Sequence, residues 1–390
     1  MSVYLDNAAT TPVRPEVLTE YTKYLQLLGN PSSVHTSGQL VRQALEEARE
    51  SLAKTVDCDR SEVLFTAGGT ESTNLAIKGI FWQRNTEDSK RTVIISAGTE
   101  HHCVIDPLEW LESHQGAEIV LVPVNFEGEL DLSWLSEYLI TNHDKVALIS
   151  LMWANNETGV ITDIKAVTAI AKAYSIPVHS DAVAAFGHMP TSFRDSGLSA
   201  MTISAHKLGG PVGVGALIVS RNTKLVSIIH GGGQERGMRS GTMNAPAAKA
   251  FALAAEICQQ SLQAEIQRTL ELRERLVSEV TAITPSISLT AAKANRLANI
   301  THFTLEGASG ESLLFLLDQK EIFVSTGSAC QAGVNRPSHV LIAMGRTEDQ
   351  AKGCLRITFG QESSEADVAA IVQELPAAID GALKAGLSSQ

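Results

Sequence analysis

Two polar residues that end apolar runs are placed to do chemistry together. Lys207 closes the run 201–207 just before Gly209 and Gly210, so it lies where a strand stops and a tight turn begins. Asp181 ends a second apolar run, 176–181. A lysine at the carboxyl end of a buried strand faces the ligand crevice of an α/β sheet, and its amine can form a Schiff base. A Schiff-base lysine with an aspartate partner for the ring nitrogen is the minimum set of residues for binding pyridoxal 5'-phosphate as a cofactor. A lysine taken alone is more often a surface residue.

A glycine-rich turn after another apolar run is a candidate phosphate site. The run Glu62–Thr66 leads into Gly68, Gly69 and Thr70, and a helical pattern follows. Glycines let the backbone approach an anion, and a helix start offers free N–H groups with a favourable dipole. The alternative is an ordinary glycine turn with a threonine cap.

The tandem histidines His101 and His102 suggest two kinds of site. A metal site is disfavoured, because neighbours on an extended chain point in opposite directions and no third ligand has zinc-like spacing. The sequence therefore predicts no metal. The favoured interpretation is that one imidazole stacks on a planar cofactor and exchanges protons with it. The alternative is a loop histidine whose hydrogen bonds are all made within the protein.

Three further segments carry weaker signals. Asn156 lies in a turn after the run 146–152, where its amide suits either a ligand or the turn itself. The loop 231–242, which contains Arg239 and Thr242, fits a phosphate, a dimer interface or a plain surface loop. Arg356, on an apolar strand, is expected to pair with a carboxylate, and a substrate's carboxylate is a candidate.

Of the five cysteines, Cys330 is the one expected to react. It lies among small residues, 325–333, where nothing buries it, and reactivity requires exposure. The odd count and wide spacing argue against a disulfide framework and a cysteine-rich zinc site. The other four are interpreted as buried or incidental; they are Cys58, Cys103, Cys258 and Cys354.

Alternating strand and helix patterns predict an α/β fold that positions these residues. The strands and helices of residues 60–260 predict a mostly parallel sheet with helices on both faces. Strands are predicted at Glu62–Thr66, Thr92–Ser96, Glu118–Pro123, Val146–Met152, Pro177–Ser180, Ala200–Ser204, Gly215–Ser220, Asn299–Leu305 and Leu355–Phe359. The span 247–284 lacks Gly and Pro and predicts one long helix that bridges two domains. A large domain is predicted at 13–258, with a small α/β domain formed by 1–12 and 259–390.

Composition narrows the class of protein. The 390 residues are 44% hydrophobic and 19% charged, which is typical of a folded chain. A net charge of -12 disfavours nucleic acid as a partner. No apolar stretch approaches the ~20 residues that a membrane helix needs, and the first residues do not resemble a signal peptide, so a cytoplasmic location is expected.

Together these motifs resemble the cysteine desulfurase family, a branch of the fold-type-I pyridoxal-phosphate enzymes in the class V aminotransferase superfamily. The resemblance spans nearly the whole chain. Its motifs are 4–12, 29–33, Thr70, His101, Asn156, Asp181, 204–207, 239–242, Cys330 and Arg356. The Ser-x-Gly-Ser-Ala-Cys form resembles the branch with a long, mobile cysteine loop.

The resemblance implies roles for these residues and a reaction. Lys207 would hold the cofactor, His101 would stack on its ring, and Asp181 would pair with its nitrogen. The cofactor phosphate would bind at Gly69, Thr70, Ser204 and His206, with Thr242 contributed by the other subunit of a homodimer. Asn156 would contact both the cofactor and the substrate. Asn156 and Arg356 together would hold the substrate carboxylate. L-cysteine would become L-alanine, and its sulfur would pass to Cys330 as a persulfide and then to an acceptor protein for iron–sulfur assembly or thiolation.

Two positions depart from the family pattern. The family usually has Gln where this chain has Ala184, and often has Lys where it has Val212. A related lyase, for example one that prefers selenocysteine, or an aminotransferase would share the cofactor residues without needing Cys330. A degenerate paralogue that only binds partners is a further alternative, motivated by Ala184.

Overall fold

A seven-stranded sheet forms the centre of the large α/β unit. The structure is a computed structural model that describes residues 2–327 and 337–387. The strand order is β2-β8-β7-β6-β5-β3-β4, and β8 runs antiparallel to both neighbours while the other pairs are parallel. The strands are β1 Val3–Tyr4, β2 Val63–Thr66, β3 Val93–Ala97, β4 Glu118–Val122, β5 Val146–Ser150, β6 Val178–Asp181, β7 Ala200–Ser204, β8 Gly215–Val219, β9 Ile287–Leu289, β10 Ile300–Leu305, β11 Ile322–Phe323 and β12 Cys354–Thr358.

The described residues form helices that cover both faces of this sheet and helices that belong to the carboxyl-terminal part of the chain. They are α1 Pro15–Leu25, α2 Thr36–Thr55, α3 Gly69–Glu87, α4 His102–Gln115, α5 Leu132–Asn142, α6 Ile164–Lys172, α7 Phe193–Ser196, α8 Ala245–Ile283, α9 Gly310–Asp318, α10 His339–Ala343, α11 Glu348–Lys352 and α12 Glu365–Leu387. Short 3-10 turns lie at Arg60–Glu62, Ala205–Lys207 and Glu235–Gly237.

Alternation along the strands explains the two layers of helices. Ile94 and Leu148 face the layer of α3 and α4, whereas their neighbours Ile95 and Ile149 face the layer of α2 and α8. Because residues on both faces of the strands are fully buried, the strand sequences are continuous apolar runs and do not alternate between apolar and polar residues. Phe251 of α8 is buried in the same core, and truncation of such a residue to alanine typically costs about 3–5 kcal/mol.

A second core lies under a small sheet in the carboxyl-terminal part of the chain. Strands β12, β10 and β9 are antiparallel, and α9 and α12 pack with them around Phe303 and Phe359. The helix α8 is 39 residues long; Phe251 in its first half belongs to the first core, and Leu276 in its second half to the second. The sequence has no glycine or proline from 247 to 284, so nothing interrupts the helix.

The amino-terminal segment contacts both the small sheet and, through Thr11, the carbonyl of His206 after β7. Strand β1 pairs with β11, and the Asn7 side chain donates to the carbonyl of Thr358 at 2.9 Å. The α/β fold, the long helix and all nine predicted strands are confirmed, each strand within two residues of its predicted bounds. The domain boundaries remain a prediction. Among the described residues, no helix has both the length and the apolar character to cross a bilayer.

Candidate active site

One pocket collects most of the residues predicted to do chemistry. It has a volume of about 380 Å³ and lies at the carboxyl ends of β5, β6 and β7, closed on its other side by residues near β10 and β12. That is the edge where open α/β sheets bind ligands. The predicted site residues that line it are Gly69, Thr70, His101, Asn156, Asp181, Ser204, His206, Lys207 and Arg356.

Lys207 lies in the 3-10 turn that directly follows β7. Its Nζ donates to the carbonyl oxygens of Ala8 and Ala9, the latter at 2.8 Å. The pKa of the amine is lowered to about 8, mainly by burial and next by the positive charge of Arg356, against the opposing effects of Asp6 and Asp181. A substantial fraction of the amine is therefore neutral near physiological pH, which is the form that attacks a carbonyl.

Asp181 ends β6, the strand next to β7 in the sheet. Its side chain is 5% exposed, and its Oδ1 accepts a hydrogen bond from the backbone N–H of Val183 at 2.9 Å. Its Oδ2 lies 3.3 Å from the thiol sulfur of Cys103 on α4. A carboxylate fixed in this way beside the pocket suits the pyridine nitrogen of a bound cofactor.

The two histidines lie at the start of α4 and both line the pocket. His101 is the N-cap of the helix, with an extended backbone conformation, and His102 is its first helical residue. His101 accepts from the N–H of Cys103 at 3.0 Å through Nδ1. Its ring faces open pocket, yet the surrounding protein lowers its pKa by desolvation, while Asp181 raises it and Lys207 lowers it. The ring is neutral near pH 7.

The start of α3 forms a cradle for an anion. Gly68 and Gly69 lead into the helix, whose first N–H groups have no intrahelical partner. A Cβ on Gly69 would come within 3.0 Å of Val183 Cγ2, so a side chain here would fill the cradle. The hydroxyls of Thr70 and Ser204 and the His206 ring line the same pocket. With Lys207 and Asp181 at the other end, the residues present fit pyridoxal phosphate.

Arg356 of β12 enters the pocket from the small sheet. It is 4% exposed; its Nη1 donates to the carbonyl of Asn156 at 2.9 Å, and its Nη2 pairs with Asp6 at 2.7 Å. The predicted carboxylate partner therefore exists within the chain itself. Among the described residues the buried Nε group has no hydrogen-bond partner, so the guanidinium keeps donor capacity for a ligand carboxylate.

One predicted site residue, Thr242, is not among those that line the pocket in this single chain. Thr242 is exposed and lies in the loop 231–242, whose Glu235 forms a buried ion pair with Arg49 at 2.7 Å and whose Arg239 pairs with Glu71 of α3 at 2.7 Å. Cys330 lies outside the described residues. The segments on either side of it reach the pocket, which Gly327 and His339 line.

Sequence reasoning missed several residues that line the pocket. Cys103 was interpreted as buried or incidental; it is buried, and it also lines the pocket, with its backbone N–H donating to His101 and its sulfur 3.3 Å from Asp181 Oδ2. Ala184, one of the two departures, lines the pocket, whereas Val212 is 74% exposed. His188 also lines the pocket and hydrogen-bonds to the backbone of Lys207, and burial lowers its pKa to about 4. Neither the apolar run 176–181 nor Ala184 predicts that His188 contacts Lys207.

Known proteins resemble this chain along nearly all of its length. The Aminotransferase class-V family matches residues 3–371. An IscS-like cysteine desulfurase of Mycobacterium tuberculosis is 46% identical over 387 residues, which are 99% of this chain and 98% of the relative. A solved NifS-like protein has a TM-score of 0.89 at 33% identity and covers 97% of this chain and 100% of its own. A solved structure described as SspA in complex with cysteine has a TM-score of 0.80 at 32% identity and covers 92% and 99%.

Proposed function

The chain belongs to the aminotransferase class-V family, and we propose that it is a pyridoxal-phosphate-dependent cysteine desulfurase. The observation that carries the proposal is the single pocket in which a partly neutral Lys207 faces Asp181, with Arg356 opposite. The relatives named above as cysteine desulfurases and the solved complex with cysteine support L-cysteine as the substrate.

The cofactor would be held at both ends of the pocket. Gly69, Thr70, Ser204 and His206 would hold its phosphate, Asp181 its ring nitrogen and Lys207 its aldehyde carbon. When bound, pyridoxal phosphate supplies an electron sink that makes the Cα proton of an amino acid labile. A degenerate binding protein would not need this set, and its presence in one pocket favours catalysis over that alternative.

Arg356 and Asn156 would bind and orient the substrate. The guanidinium of Arg356 would take the carboxylate of L-cysteine in a two-pronged contact, which fixes the side of the substrate that faces Lys207. Because Asn156 already accepts from Arg356 through its carbonyl, it holds the guanidinium in the plane that such a contact needs. The amide of Asn156 faces the same pocket and would contact the cofactor as well.

Lys207 and His101 would move protons. In its neutral form the Lys207 amine can accept the substrate's Cα proton and return it to the product. His101, neutral and beside Asp181, can exchange a proton with the reacting groups on the opposite side of the site.

Cys330 would receive the sulfur atom. Its thiolate would attack the sulfur of the substrate, the C–S bond would break as an S–S bond forms, and L-alanine would leave. The reaction is balanced without an external oxidant or reductant, because a thiol and cysteine give a persulfide and alanine. The persulfide would then pass to an acceptor protein for iron–sulfur assembly or thiolation.

Assembly and location are part of the same proposal. We place Thr242 at the phosphate of a second copy in a homodimer, because its loop is held at 2.7 Å contacts to α2 and α3 while Thr242 stays exposed. The cytoplasm is the proposed location.

The test is incubation of the purified holoenzyme with L-cysteine and dithiothreitol. Sulfide and alanine should appear in equal amounts, and mass spectrometry should find one added sulfur on Cys330 before the reductant is added. Cys330→Ser should abolish sulfide release, while the matched control Cys58→Ser should retain it. Turnover that survives Cys330→Ser would favour a selenocysteine-type lyase or an aminotransferase, and no alanine at all would refute the proposal.

A further inference from the structure

A buried thiol lies against the carboxylate that the cofactor would use. The Cys103 side chain is 8% exposed, and its sulfur lies 3.3 Å from Asp181 Oδ2 and 3.8 Å from Thr73 Oγ1. We propose that Cys103 is a positioning residue whose S–H donates a hydrogen bond to Asp181 and so limits how strongly this carboxylate attracts a proton from the cofactor's ring nitrogen. The part of the proposal that concerns the cofactor rests on the proposed function.

The direction of this hydrogen bond follows from the protonation of both groups. Burial, reinforced by the negative charge of Asp181, raises the pKa of the Cys103 thiol far above its ordinary value, so it keeps its proton. An ionised carboxylate can only accept. The single thiol proton therefore goes to Oδ2, the nearer and charged partner, while Oδ1 accepts from the N–H of Val183.

The side chains behind the thiol are polar but uncharged. The Thr73 hydroxyl donates to Thr202 at 3.3 Å, and Thr202 lies 3.0 Å from Nε2 of His179. Nδ1 of His179 lies 2.9 Å from the Ser150 hydroxyl. Burial lowers the pKa of His179 to about 3, so the ring is neutral. On this side of β6 the network supplies no cation, and the negative charge of Asp181 is stabilised by the two donated hydrogen bonds.

The charged groups near Asp181 come from other elements. Lys207 follows β7, His101 caps α4, and Glu100 precedes it; all three interact electrostatically with Asp181. All three side chains stay in place when Cys103 is substituted, but Cys103 also contributes to the electrostatics of Lys207. The comparison of Cys103→Ala with Cys103→Ser, both of which lack the thiol, therefore isolates the hydrogen-bond donor.

Removal of the thiol donor should raise the proton affinity of Asp181. A carboxylate that loses a hydrogen bond to its charged form gains proton affinity. Hydrogen bonds to charged groups contribute about 1.5–3 kcal/mol, and a thiol is a weak donor, so we expect an increase of about tenfold in the proton affinity of Asp181. The proton shared with the ring nitrogen then shifts toward Asp181, and the electron sink weakens.

The test uses the holoenzyme loaded with pyridoxal phosphate labelled with ¹⁵N in the ring. In Cys103→Ala the ring-nitrogen resonance should move toward the value of neutral pyridine. In Cys103→Ser, which keeps a donor, it should stay near the wild-type value, and in the control Cys58→Ala it should not move. Thermal unfolding of each variant identifies any that fails to fold, in which case Cys103→Ser and the next experiment decide. A ring-nitrogen resonance in Cys103→Ala that matches wild type overturns the proposal.

A second measurement does not depend on the cofactor. The infrared S–H stretch of Cys103, isolated as the difference between wild type and Cys103→Ala, should be shifted to low frequency by the bond to Asp181. Asp181→Asn should reverse most of this shift, because an amide is a weaker acceptor than a carboxylate. A stretch that is insensitive to Asp181→Asn overturns the inference even if the holoenzyme forms. Failure of wild type to bind the cofactor, with the infrared shift present, counts against the proposed function and upholds the hydrogen bond.

Discussion

The protonation of Lys207 gives the sharpest quantitative prediction. Its pKa is about 8, against 10.5 for an unburied lysine. At pH 7 about one molecule in ten then carries a neutral amine, which is about 300-fold more than an ordinary lysine would supply. Burial is the main cause, and the charge of Arg356 adds to it.

The assay is competitive labelling of the cofactor-free protein with acetic anhydride between pH 6 and 10. Only the neutral amine reacts, so labelling of the Lys207 peptide should rise about tenfold per pH unit and level off just above pH 8. Exposed Lys54 serves as the internal standard for delivery of the reagent. Labelling that still rises steeply at pH 10 would refute the burial argument.

Arg356→Gln separates the electrostatic cause from burial. Removal of the arginine takes away a positive charge that lowers the Lys207 pKa, and it leaves Asp6, which raises that pKa, without its partner at 2.7 Å. The labelling midpoint should therefore move to higher pH. An unchanged midpoint would show that Arg356 does not act on the amine.

The same pKa has a consequence for stability with a defined sign. Because the folded state holds this proton less tightly than the unfolded chain, Lys207 destabilises the cofactor-free protein fully below about pH 8. The cost disappears as the pH rises through the unfolded value of 10.5. The stability gained by Lys207→Met in urea unfolding should therefore shrink between pH 8 and 10.5, and a gain independent of pH would contradict this.

Three further predictions concern Arg356, Gly69 at the start of α3, and the ion pair of Arg49 with Glu235 in the loop 231–242. Arg356→Lys should lower kcat/KM for L-cysteine by more than about tenfold in steady-state assays, because a point charge cannot make the two-pronged contact; wild-type kcat/KM would contradict this role. Gly69→Val should weaken pyridoxal phosphate binding by at least about tenfold in equilibrium dialysis, because its Cβ would meet Val183 at 3.0 Å; unchanged affinity would exclude the cradle. Arg49→Met should cost about 3–5 kcal/mol in urea unfolding by leaving Glu235 buried and unpaired, and Arg49→Met combined with Glu235→Gln should recover much of it; a loss below about 1 kcal/mol would show that the pair is not buried in solution.

Local patterns in the sequence predicted the parts of the fold that depend on local physics. The run 146–152 predicts a buried strand because its residues are apolar without a break, and α8 was predictable because nothing in 247–284 breaks a helix. The placement of Lys207 and Asp181 at one edge of the sheet was predictable because each follows or ends a strand, and parallel strands end at one edge.

Contacts between distant parts of the chain were not predictable in this way. Asp6 pairs with Arg356 across 350 residues, and β1 pairs with β11, yet neither segment carries a periodic signal for it. Cys103 shows the same limit, because the thiol meets Asp181 only once α4 packs on β6. Residues such as these become functional through packing, which a local pattern does not encode.

The hydrogen bonds of Thr358 with Leu5 and Ala8 affect the order in which the pocket can be completed during synthesis. Domains fold as the chain emerges, amino terminus first. The carbonyl groups of Ala8 and Ala9 that contact Lys207 belong to a segment fixed by Thr358, which donates its side chain to Leu5 and accepts from Ala8. All strands of the large sheet have been made once residue 219 has been synthesised, whereas the Thr358 contacts that fix Leu5 and Ala8 need β12 as well. A nascent chain halted between these points would lack the Thr358 contacts, so the surroundings of Lys207 would be complete only after β12 has been made.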